Sequence, residues 1–374
     1  MVMLKRYRPH LLLSGFGLEE QKKLHSAKVL VIGAGGLGCP LLLYLTAAGV
    51  GTIGIVDSDS VEESNLQRQI LYTEADLGKL KVDVARKRLS LLNSKTEFVL
   101  YPHRFTVQNA LEIIKPYDVI CDGTDNFQTR YMINDACVLL NKPDVYASIF
   151  QFEGQVTVFN YVNKEGVRGP HYRDLFPVFP PQDLLPNCEA AGVLGVLPGI
   201  MGTIQANEVI KIITGIGEVL SGRLLTMNTL NFETHILTLP NAKGGQTMVT
   251  KLEENPQASC CEIGKGKKEV PEVTVQELKA KRDHHENFQL IDVREKNEYE
   301  FVNIQGDLIP LGELERSLSK ISKEKTVIVH CRSGGRSSQA VKLLREKFGY
   351  TNVYNLKGGI LAYIDEIDPS LPKY

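Results

Sequence analysis

Short apolar runs alternate with longer amphipathic patterns over the first 250 residues of the chain. The short runs have the length of buried strands, and the longer segments repeat their apolar positions with the period of a helix. Predicted strands cover residues 29–32, 53–56, 98–101, 119–121, 145–148 and 156–161, and predicted helices cover residues 37–48, 79–93, 129–140 and 196–214. Strands that alternate with helices in this way predict a doubly wound α/β sheet.

The pattern changes after residue 240. Residues 241–272 are rich in Gly, Lys, Gln and Glu and show little apolar periodicity, which is typical of a linker. Apolar periodicity returns at residue 273, with predicted strands at 289–292, 326–330 and 352–355 and predicted helices at 275–282 and 337–348. We therefore expect an α/β domain over residues 1–250, a linker over 251–271 and a smaller α/β domain over 272–374.

Residues 29–56 carry no charged side chain, and this segment is long enough to span a bilayer. It contains seven glycines, however, and its pattern divides into a strand, a glycine-rich turn, a helix and a second strand that ends at Asp57. A buried strand–helix–strand unit explains this pattern better than a membrane span. The N-terminus is basic and polar, unlike a cleavable signal, so we expect no membrane partner and a cytoplasmic location.

The overall composition is that of a globular protein, with 43% hydrophobic and 23% charged residues among 374. The formal net charge is −1, so no overall field attracts the chain to nucleic acid, and we expect no nucleic-acid partner. The seven cysteines are scattered, odd in number and never spaced CxxC. This usage favours a reducing compartment over a disulfide framework.

A glycine-rich turn, Gly33-Ala-Gly-Gly-Leu-Gly38, follows the first predicted strand and precedes a helix, and Asp57 ends the next strand. Glycines at this position let backbone N–H groups approach a phosphate, and an acid after the next strand binds ribose hydroxyls. A tight turn without a ligand is the alternative, but it leaves the joint presence of strand, helix and acid unexplained. The turn predicts a nucleotide site without specifying the nucleotide.

The residues that follow Asp57 favour ATP over a nicotinamide cofactor. Arg68 and Lys81 can neutralise the charge of a triphosphate, and Asp125 can hold Mg²⁺ against it. A dehydrogenase has no need of this basic set, because it must expose a nicotinamide ring to a hydride acceptor. Each residue alone could be an ordinary surface charge. Together with the glycine turn, they predict a site for a reaction at the α-phosphate of ATP.

Several separated motifs occur in order: residues 57–59, 64–69, 78–81 and 122–126. Over about residues 5–250 the chain resembles the adenylating domain shared by ubiquitin-activating enzymes and the MoeB/ThiF-type activators of sulfur-carrier proteins. The resemblance implies a Rossmann-like sheet and catalytic roles for Arg68, Lys81 and Asp125. It also implies an ATP site formed by Gly35, Gly36, Asp57, Asp59, Ser64, Asn65, Leu66, Gln67, Arg68, Lys81, Asp125 and Asn126.

The same resemblance implies a homodimer in which an arginine near one N-terminus reaches the site of the partner. This chain reads Arg-Tyr-Arg-Pro-His-Leu over residues 6–11, which puts Pro9 at the position of the family's arginine. Arg6 and Arg8 are the two candidates to replace it.

Cys188 follows a proline-rich segment that predicts a mobile crossover loop. The resemblance implies that this cysteine can take an acyl or persulfide group, and a helix N-terminus beside it would activate the thiol. A small buried structural thiol is the alternative. Many relatives also hold zinc with two CxxC pairs, where this chain has His-Tyr-Arg-Asp at 171–174 and Ala-Ser-Cys-Cys at 258–261. Such a set makes a poor tetrahedral site, so we expect no structural zinc.

The second domain contains His330-Cys-Arg-Ser-Gly-Gly-Arg-Ser337 directly between a strand and a helix. Two glycines let the backbone curl so that successive N–H groups point inward, and the helix dipole adds to this anion nest. Arg332 and Arg336 supply positive charge. A free cysteine in a glycine-rich turn is the alternative, but it does not explain the two flanking arginines. The loop predicts that Cys331 is a sulfur nucleophile.

Together with residues 290–295 and 356–363, this loop resembles the active site of a single rhodanese domain over about residues 272–370. Its length from Cys331 to Arg336 matches sulfurtransferases rather than the related phosphatases, which have a longer loop. The resemblance implies that Cys331 carries a persulfide, held by a loop of Arg332, Ser333, Gly334, Gly335 and Arg336.

The fusion of the two domains narrows the function. Adenylation replaces a poor leaving group on a carboxylate with AMP, and a tethered persulfide can then attack the activated carbon to give a thiocarboxylate. The chain resembles the adenylyltransferase/sulfurtransferases of molybdopterin synthase. This implies a small ubiquitin-fold sulfur carrier ending in Gly-Gly as partner, and thiosulfate or a cysteine desulfurase as sulfur donor.

Other functions stay open on the sequence alone. The carrier could serve the thiamin pathway, tRNA thiolation or cysteine synthesis instead. An NAD-dependent oxidoreductase fused to a sulfurtransferase is an alternative of another class. A non-catalytic scaffold is a third, for which Pro9 and the missing zinc ligands are the hints.

Overall fold

The computed structural model describes residues 5–177, 192–239, 249–252 and 270–373. These residues fall into two compact units. The N-terminal unit holds the described residues up to 252, and the C-terminal unit holds those from 270 onward. Cys188, Cys260 and Cys261 lie outside the described residues.

An eight-stranded sheet forms the centre of the N-terminal unit, in the order β3-β2-β1-β4-β5-β6-β7-β8. The first five strands are parallel, and β6, β7 and β8 continue the sheet in antiparallel fashion. The strands are β1 Lys28–Ile32, β2 Thr52–Val56, β3 Glu97–Tyr101, β4 Val119–Asp122, β5 Asp144–Phe150, β6 Glu153–Phe159, β7 Arg223–Asn228 and β8 Thr234–Thr238.

The helices of this unit cover both faces of the sheet. Val29 and Val31 belong to one buried cluster, with residues of the long helix over 196–214, whereas Leu30 and Ile32 belong to a second cluster. Burial on both faces explains why β1 is continuously apolar after Lys28. The helices are α1 Arg8–Leu11, α2 Leu18–Ser26, α3 Gly38–Ala48, α4 Lys81–Leu92, α5 Ala110–Ile114, α6 Phe127–Leu140, α7 Tyr172–Leu175 and α8 Val196–Thr214.

A five-stranded parallel sheet forms the centre of the C-terminal unit, in the order β11-β10-β12-β13-β9. Its apolar strands are again buried on both faces, with Val327 and Val329 in one cluster and Ile328 in the other. The strands are β9 Glu272–Val273, β10 Phe288–Asp292, β11 Asp307–Leu308, β12 Thr326–His330 and β13 Val353–Leu356. The helices are α9 Val275–Asp283, α10 Lys296–Phe301, α11 Gly335–Glu346 and α12 Gly359–Glu366.

The predicted fold class is confirmed: a parallel-dominated, Rossmann-like doubly wound sheet is followed by a smaller α/β sheet. The helix predicted over 196–214 has these bounds in the structure. The sequence did not predict β7 and β8, and every residue of β8 is exposed, so no buried alternation marks that strand. No helix among the described residues is both long and apolar enough to cross a membrane.

The close packing of β2 yields a stability prediction. A Cβ at Gly54 would overlap the Tyr117 hydroxyl and lie 2.7 Å from Leu30 Cδ1. Gly54→Ala should therefore lower the free energy of unfolding by about 1–3 kcal/mol, as overpacking does in a dense core. Urea denaturation measures the change. Gly199→Ala is the matched control, because a Cβ there meets no atom within 4 Å and alanine favours the helix. Equal effects of the two substitutions would contradict the packing argument.

Candidate functional site

The turns that follow β1 and β4 touch through glycines at the carboxyl end of the parallel strands. Gly33 has a φ of +96°, and a Cβ there would lie 2.7 Å from the carbonyl oxygen of Gly123. A Cβ at Gly38 would in turn overlap the Gly33 carbonyl oxygen. Because β1 lies between β2 and β4, this edge is the switch point of the sheet, where α/β proteins bind ligands.

Asp57 ties the end of β2 to the glycine turn. Its Oδ2 accepts a hydrogen bond from the Ala34 N–H at 2.8 Å, and its Oδ1 accepts one from the Asp59 N–H at 2.8 Å. Burial raises the pKa of Asp57, and the Lys81 ammonium and both backbone N–H groups oppose that shift. The carboxylate thus braces the turn on one side and faces a buried cation on the other.

Lys81 is a buried cation at the start of α4. It is 5% exposed, and its Nζ lies 3.2 Å from Asp59 Oδ2. The side chain of Asp59 is 68% exposed, so the carboxylate that faces Lys81 is itself in solvent. A buried ammonium is costly without compensating charge, and this arrangement leaves room for an anionic ligand to supply more of it.

Arg68 and Pro198 flank Gly36. A Cβ at Gly36 would lie 3.1 Å from Pro198 Cβ and 3.5 Å from Arg68 Cγ. The Arg68 guanidinium donates from Nη1 to the Ser64 carbonyl oxygen at 3.0 Å. Arg68 therefore lies beside Gly36, and Pro198 places the start of α8 next to the same glycine.

The residues between Ser64 and Gln67 serve partly structural roles. Asn65 is 7% exposed and donates from Nδ2 to Ser64 Oγ at 3.2 Å. Leu66 packs against the main core cluster, and Gln67 lies so close to Gly195 that a Cβ there would overlap it. The segment is therefore fixed between the core and the start of α8.

Gly35 faces Gln69. A Cβ at Gly35 would lie 3.6 Å from Gln69 Nε2. Gln69 is 4% exposed, and its Oε1 has no hydrogen-bond partner among the described residues. A buried amide oxygen next to the turn adds a polar group that a bound ligand could satisfy.

The turn after β4 carries Asp125 and Asn126, both exposed at the same edge of the sheet. Asn126 is the N-cap of α6, since its Oδ1 accepts from the Thr129 N–H at 2.9 Å. Arg130 is 6% exposed and donates to the Thr124 carbonyl oxygen at 3.0 Å, which braces the turn from below. The capping role of Asn126 explains its presence without a ligand.

Two carboxylates lie buried beneath this turn. Asp122 and Asp144 are 1% and 2% exposed, and one oxygen of each has no hydrogen-bond partner among the described residues. Burial raises the pKa of both groups, the Asp122 carboxylate raises the pKa of Asp144 further, and the Arg130 guanidinium opposes the shift in both. The turn that carries Asp125 is therefore packed against a buried cluster of Asp122, Asp144 and Arg130.

Gln205 on α8 is a structural residue that the sequence motifs do not predict. Its Nε2 donates to the carbonyl oxygens of Asp122 and Val145, each at 2.8 Å, so it joins the end of β4 and the start of β5 to the helix. The signal is an amide on the largely apolar first half of the helix, where an unpaired polar group is costly.

The side chains at this edge of the sheet suit a ligand that contains both phosphates and a sugar. Arg68 and Lys81 supply positive charge near a glycine turn, and Asp57 and Asp59 supply acceptors at the end of β2. These are the features that phosphates and ribose hydroxyls require. Within the part of the chain that the structure describes, no group of three His, Cys, Asp or Glu side chains is arranged to hold a metal ion.

Three further predictions concern regions outside this cluster. His171 and Asp174 form the capping box of α7, with Asp174 Oδ2 accepting from the His171 N–H at 2.9 Å. Arg6 and Arg8 are both exposed, Arg8 opening α1. Cys188 lies outside the described residues, so its two alternatives stay open, and the expected absence of zinc stays a prediction.

Cys331 lies at the end of β12, where the following loop curls around its sulfur. Gly334 has a φ of +99° and its N–H donates to Cys331 Sγ at 3.2 Å. A Cβ at Gly359 would lie 2.5 Å from the Cys331 carbonyl oxygen, so the start of α12 closes on the loop. Cys331 is 1% exposed. The loop has the N–H donor and the tight curl that an anionic sulfur requires.

The guanidinium of Arg336 forms an ion pair with Glu298. Its Nη1 and Nη2 each donate to a carboxylate oxygen of Glu298 at 2.6 Å, and this bidentate pair joins α11 to α10. Arg332 is partly buried, whereas Ser333 and Gly335 are exposed in the same loop. The pair with Glu298 fixes the shape of the loop while balancing one of its two cations.

A fully buried charge cluster supports β12 behind the loop. Arg294 Nη2 donates to Asp292 Oδ2 at 2.6 Å and to the Val302 carbonyl oxygen at 2.8 Å. His330 lies 3.6 Å from the same carboxylate, and neither ring nitrogen has a hydrogen-bond partner among the described residues. Burial lowers the pKa of His330 to about 4, against the pull of Asp292. The ring is therefore neutral near pH 7.

The chain matches two known family models, one for each unit. Residues 7–248 match the ThiF family, and residues 274–366 match the rhodanese-like domain. The chain is 40% identical over 378 residues to a probable adenylyltransferase/sulfurtransferase MoeZ from Mycobacterium tuberculosis, covering 99% of this chain and 95% of that one. It is 50% identical over 236 residues to a sulfur carrier protein adenylyltransferase from Thermus thermophilus, covering 63% of this chain and 87% of that one.

Among solved structures, a crystal structure of E. coli MccB with MccA-N7isoASN is similar to the N-terminal fold. The TM-score is 0.57 at 22% identity, covering 64% of this chain and 73% of that one. This likeness concerns the fold alone. The family matches favour a nucleotidyltransferase over the NAD-dependent oxidoreductase and over a non-catalytic scaffold.

The neutral His330 makes the C-terminal unit sensitive to acid. The pKa of His330 is about 4 in the folded chain and 6.5 for an unperturbed histidine. Between pH 6.5 and 4 the unfolded chain therefore binds more protons than the folded chain. The free energy of unfolding should fall across this window as pH is lowered, by up to about 3 kcal/mol. His330→Gln should flatten that loss. The unfolding of the C-terminal unit is measured by titrating the chain with urea, treating it with protease and identifying the resistant fragments by mass spectrometry.

The control for this substitution is His284→Gln, at an exposed position after α9. It should leave the acid sensitivity unchanged. An unaltered pH dependence in the His330 variant would show that another group is responsible.

Proposed function

The chain belongs to the ThiF family and carries a rhodanese-like domain, which makes it an adenylyltransferase and sulfurtransferase, and we propose that it activates a small protein and sulfurates it. The substrate is a ubiquitin-fold sulfur carrier whose C-terminal glycine is adenylated with ATP. The observation that carries the proposal is that one chain holds both a glycine turn with Arg68 and Lys81 beside it and a thiol that accepts a hydrogen bond from a backbone N–H of its own loop.

In the first reaction, the carrier carboxylate attacks the α-phosphorus of ATP and pyrophosphate leaves. Arg68 and Lys81 stabilise the negative charge that builds up on the phosphates, and Asp57 and Asp59 bind the ribose and orient Lys81. Asp125 would hold the Mg²⁺ that accompanies ATP, and the ion would neutralise charge on the phosphates. The remaining members of the set, Gly35, Gly36, Ser64, Asn65, Leu66, Gln67 and Asn126, shape the cleft around the nucleotide.

In the second reaction, Cys331 first takes a sulfur atom from its donor. With thiosulfate, the Cys331 thiolate attacks the outer sulfur and sulfite leaves. The terminal persulfide sulfur then attacks the acyl-adenylate carbon, AMP leaves, and an acyl disulfide to Cys331 forms. A second thiol, either Cys188 or an added thiol compound, attacks the Cys331 sulfur and releases the carrier thiocarboxylate with formation of a new disulfide.

The small subunit of molybdopterin synthase is the carrier that we propose first. The carriers of the thiamin pathway, of tRNA thiolation and of cysteine synthesis are alternatives with the same C-terminal chemistry. Support for a carrier substrate comes from the T. thermophilus relative, which is named a sulfur carrier protein adenylyltransferase. We further propose a homodimer in the cytoplasm, in which Arg6 or Arg8 reaches the partner's site, and a cysteine desulfurase as the alternative sulfur donor.

The carrier can be identified directly. The purified chain is incubated with ATP, Mg²⁺, thiosulfate, dithiothreitol and one carrier at a time, and the intact carrier is weighed by mass spectrometry. The true substrate should gain the mass difference of sulfur for oxygen. Cys331→Ala should abolish this gain yet keep pyrophosphate exchange. Absence of pyrophosphate exchange with every Gly-Gly carrier would refute the proposed function.

The role of Lys81 can be tested against a neighbouring lysine. Lys81→Met should slow carrier-dependent pyrophosphate exchange by about 100-fold or more, because a buried charge near the phosphates is lost. Lys79→Met is the matched control, since Lys79 is exposed and bonds the Ala75 carbonyl oxygen. Arg68→Ala should behave like the Lys81 variant. Comparable losses in the Lys79 and Lys81 variants would remove Lys81 from the site.

A further inference from the structure

The sulfur of Cys331 is the inner end of a chain of hydrogen-bonding groups that crosses the C-terminal unit. Ser337 Oγ lies 3.4 Å from Cys331 Sγ and 2.7 Å from Asn355 Oδ1. The amide of Asn355 continues the chain, because its Nδ2 donates to Glu272 Oε1 at 3.0 Å. Ser337 is 0% and Asn355 is 2% exposed, so water does not compete for these inner groups.

The direction of this chain is set at its outer end. A carboxylate can only accept hydrogen bonds, so Asn355 turns its NH₂ group to Glu272 and its carbonyl oxygen to Ser337. The single hydroxyl proton of Ser337 is then drawn to Asn355, the nearest of its acceptors. The lone pairs of Ser337 Oγ are left to face Cys331.

We propose that Ser337 is held as a hydrogen-bond acceptor toward Cys331, and that Asn355 and Glu272 enforce this orientation and so set the pH at which the thiol becomes reactive. The inference rests on the proposed role of Cys331 as the sulfur-carrying residue. In this orientation Ser337 stabilises the protonated thiol, whereas the Gly334 N–H, 3.2 Å from Sγ, stabilises the thiolate. Ser337, Asn355 and Glu272 are positioning residues, because they act through Cys331.

The loop and the elements packed against it carry other charges that affect the same sulfur. The charged and titratable groups around the sulfur are Asp292, Arg294, His330, Glu298, Arg332, Arg336 and Lys357. Asp292, Arg294 and His330 form the buried cluster behind β12, and Arg336 is paired with Glu298.

The sign of one measurement separates this proposal from its opposite. Alkylation of Cys331 by iodoacetamide is followed against pH in the full chain, with the Cys331 peptide quantified by mass spectrometry. Ser337→Ala should shift the midpoint of the profile down by about 0.5 pH unit and raise the rate below the midpoint about threefold, the size expected for one hydrogen bond. A serine that donated to the thiolate would give a shift upward.

Glu272→Gln tests the outer end of the chain at an exposed position that the fold tolerates. Glutamine can donate as well as accept, so Asn355 loses its fixed orientation and the Ser337 proton can rotate to the sulfur. The midpoint should again move down. The profiles are measured at about 1 M salt, where the Debye length is about 3 Å, so that loss of an exposed charge does not by itself move them.

The double variant completes the test. Glu272→Gln should have no further effect in the Ser337→Ala background, because the chain is already broken there. Ser338→Ala, one residue along α11, is the control and should leave the profile unchanged. An upward or absent shift in Ser337→Ala, or an equal effect of Glu272→Gln with and without Ser337, overturns the proposal. If Ser337→Ala fails to fold, an unchanged Glu272→Gln profile overturns it.

These outcomes are independent of the carrier reaction. The alkylation needs no ATP, carrier or sulfur donor, so it reports on the thiol even if the chain activates no Gly-Gly protein. Conversely, normal alkylation profiles with no pyrophosphate exchange would refute the proposed function and leave this inference standing.

Discussion

The hydrogen bond from the Ala34 N–H to Asp57 holds the N-terminal site together. It joins the end of β2 to the turn that follows β1. The contact of Gly33 with Gly123 joins the same turn to the end of β4. Three separate loops thereby share one edge of the sheet. Lys81 lies buried at this edge, and the carboxylates of Asp57 and Asp59 compensate its charge.

In the C-terminal unit, the buried charges behind the Cys331 loop are paired with charges of opposite sign. Asp292 and Arg294 are both fully buried and neutralise each other, which lets β12 end in a dry environment. Glu298 does the same for Arg336 at the other side. The loop around Cys331 therefore keeps one shape without relying on solvent, and its backbone N–H donor stays aimed at the sulfur.

Much of this organisation could be predicted from the sequence, and the exceptions have physical reasons. The long helix over 196–214 and the apolar strands were predicted because burial on both faces leaves a continuous signal. The exposed strand β8 leaves no such signal. Motif order predicts site roles for Asp57, Arg68 and Lys81, but Gln205 and Asn355 form contacts between distant segments, and spacing along the chain cannot show such contacts. The pair of Arg336 with Glu298 was invisible for the same reason.

The first strand of the C-terminal unit bears on where that unit starts. The rhodanese-like match begins at residue 274, yet β9 precedes it and pairs Glu272 with Asn355 and Val273 with Leu356. The Pro271 carbonyl oxygen also accepts from the Asn355 N–H at 2.9 Å. A fragment trimmed to the family boundary would thus lose an edge strand and a backbone acceptor. Independent expression of this half requires a start upstream of Pro271.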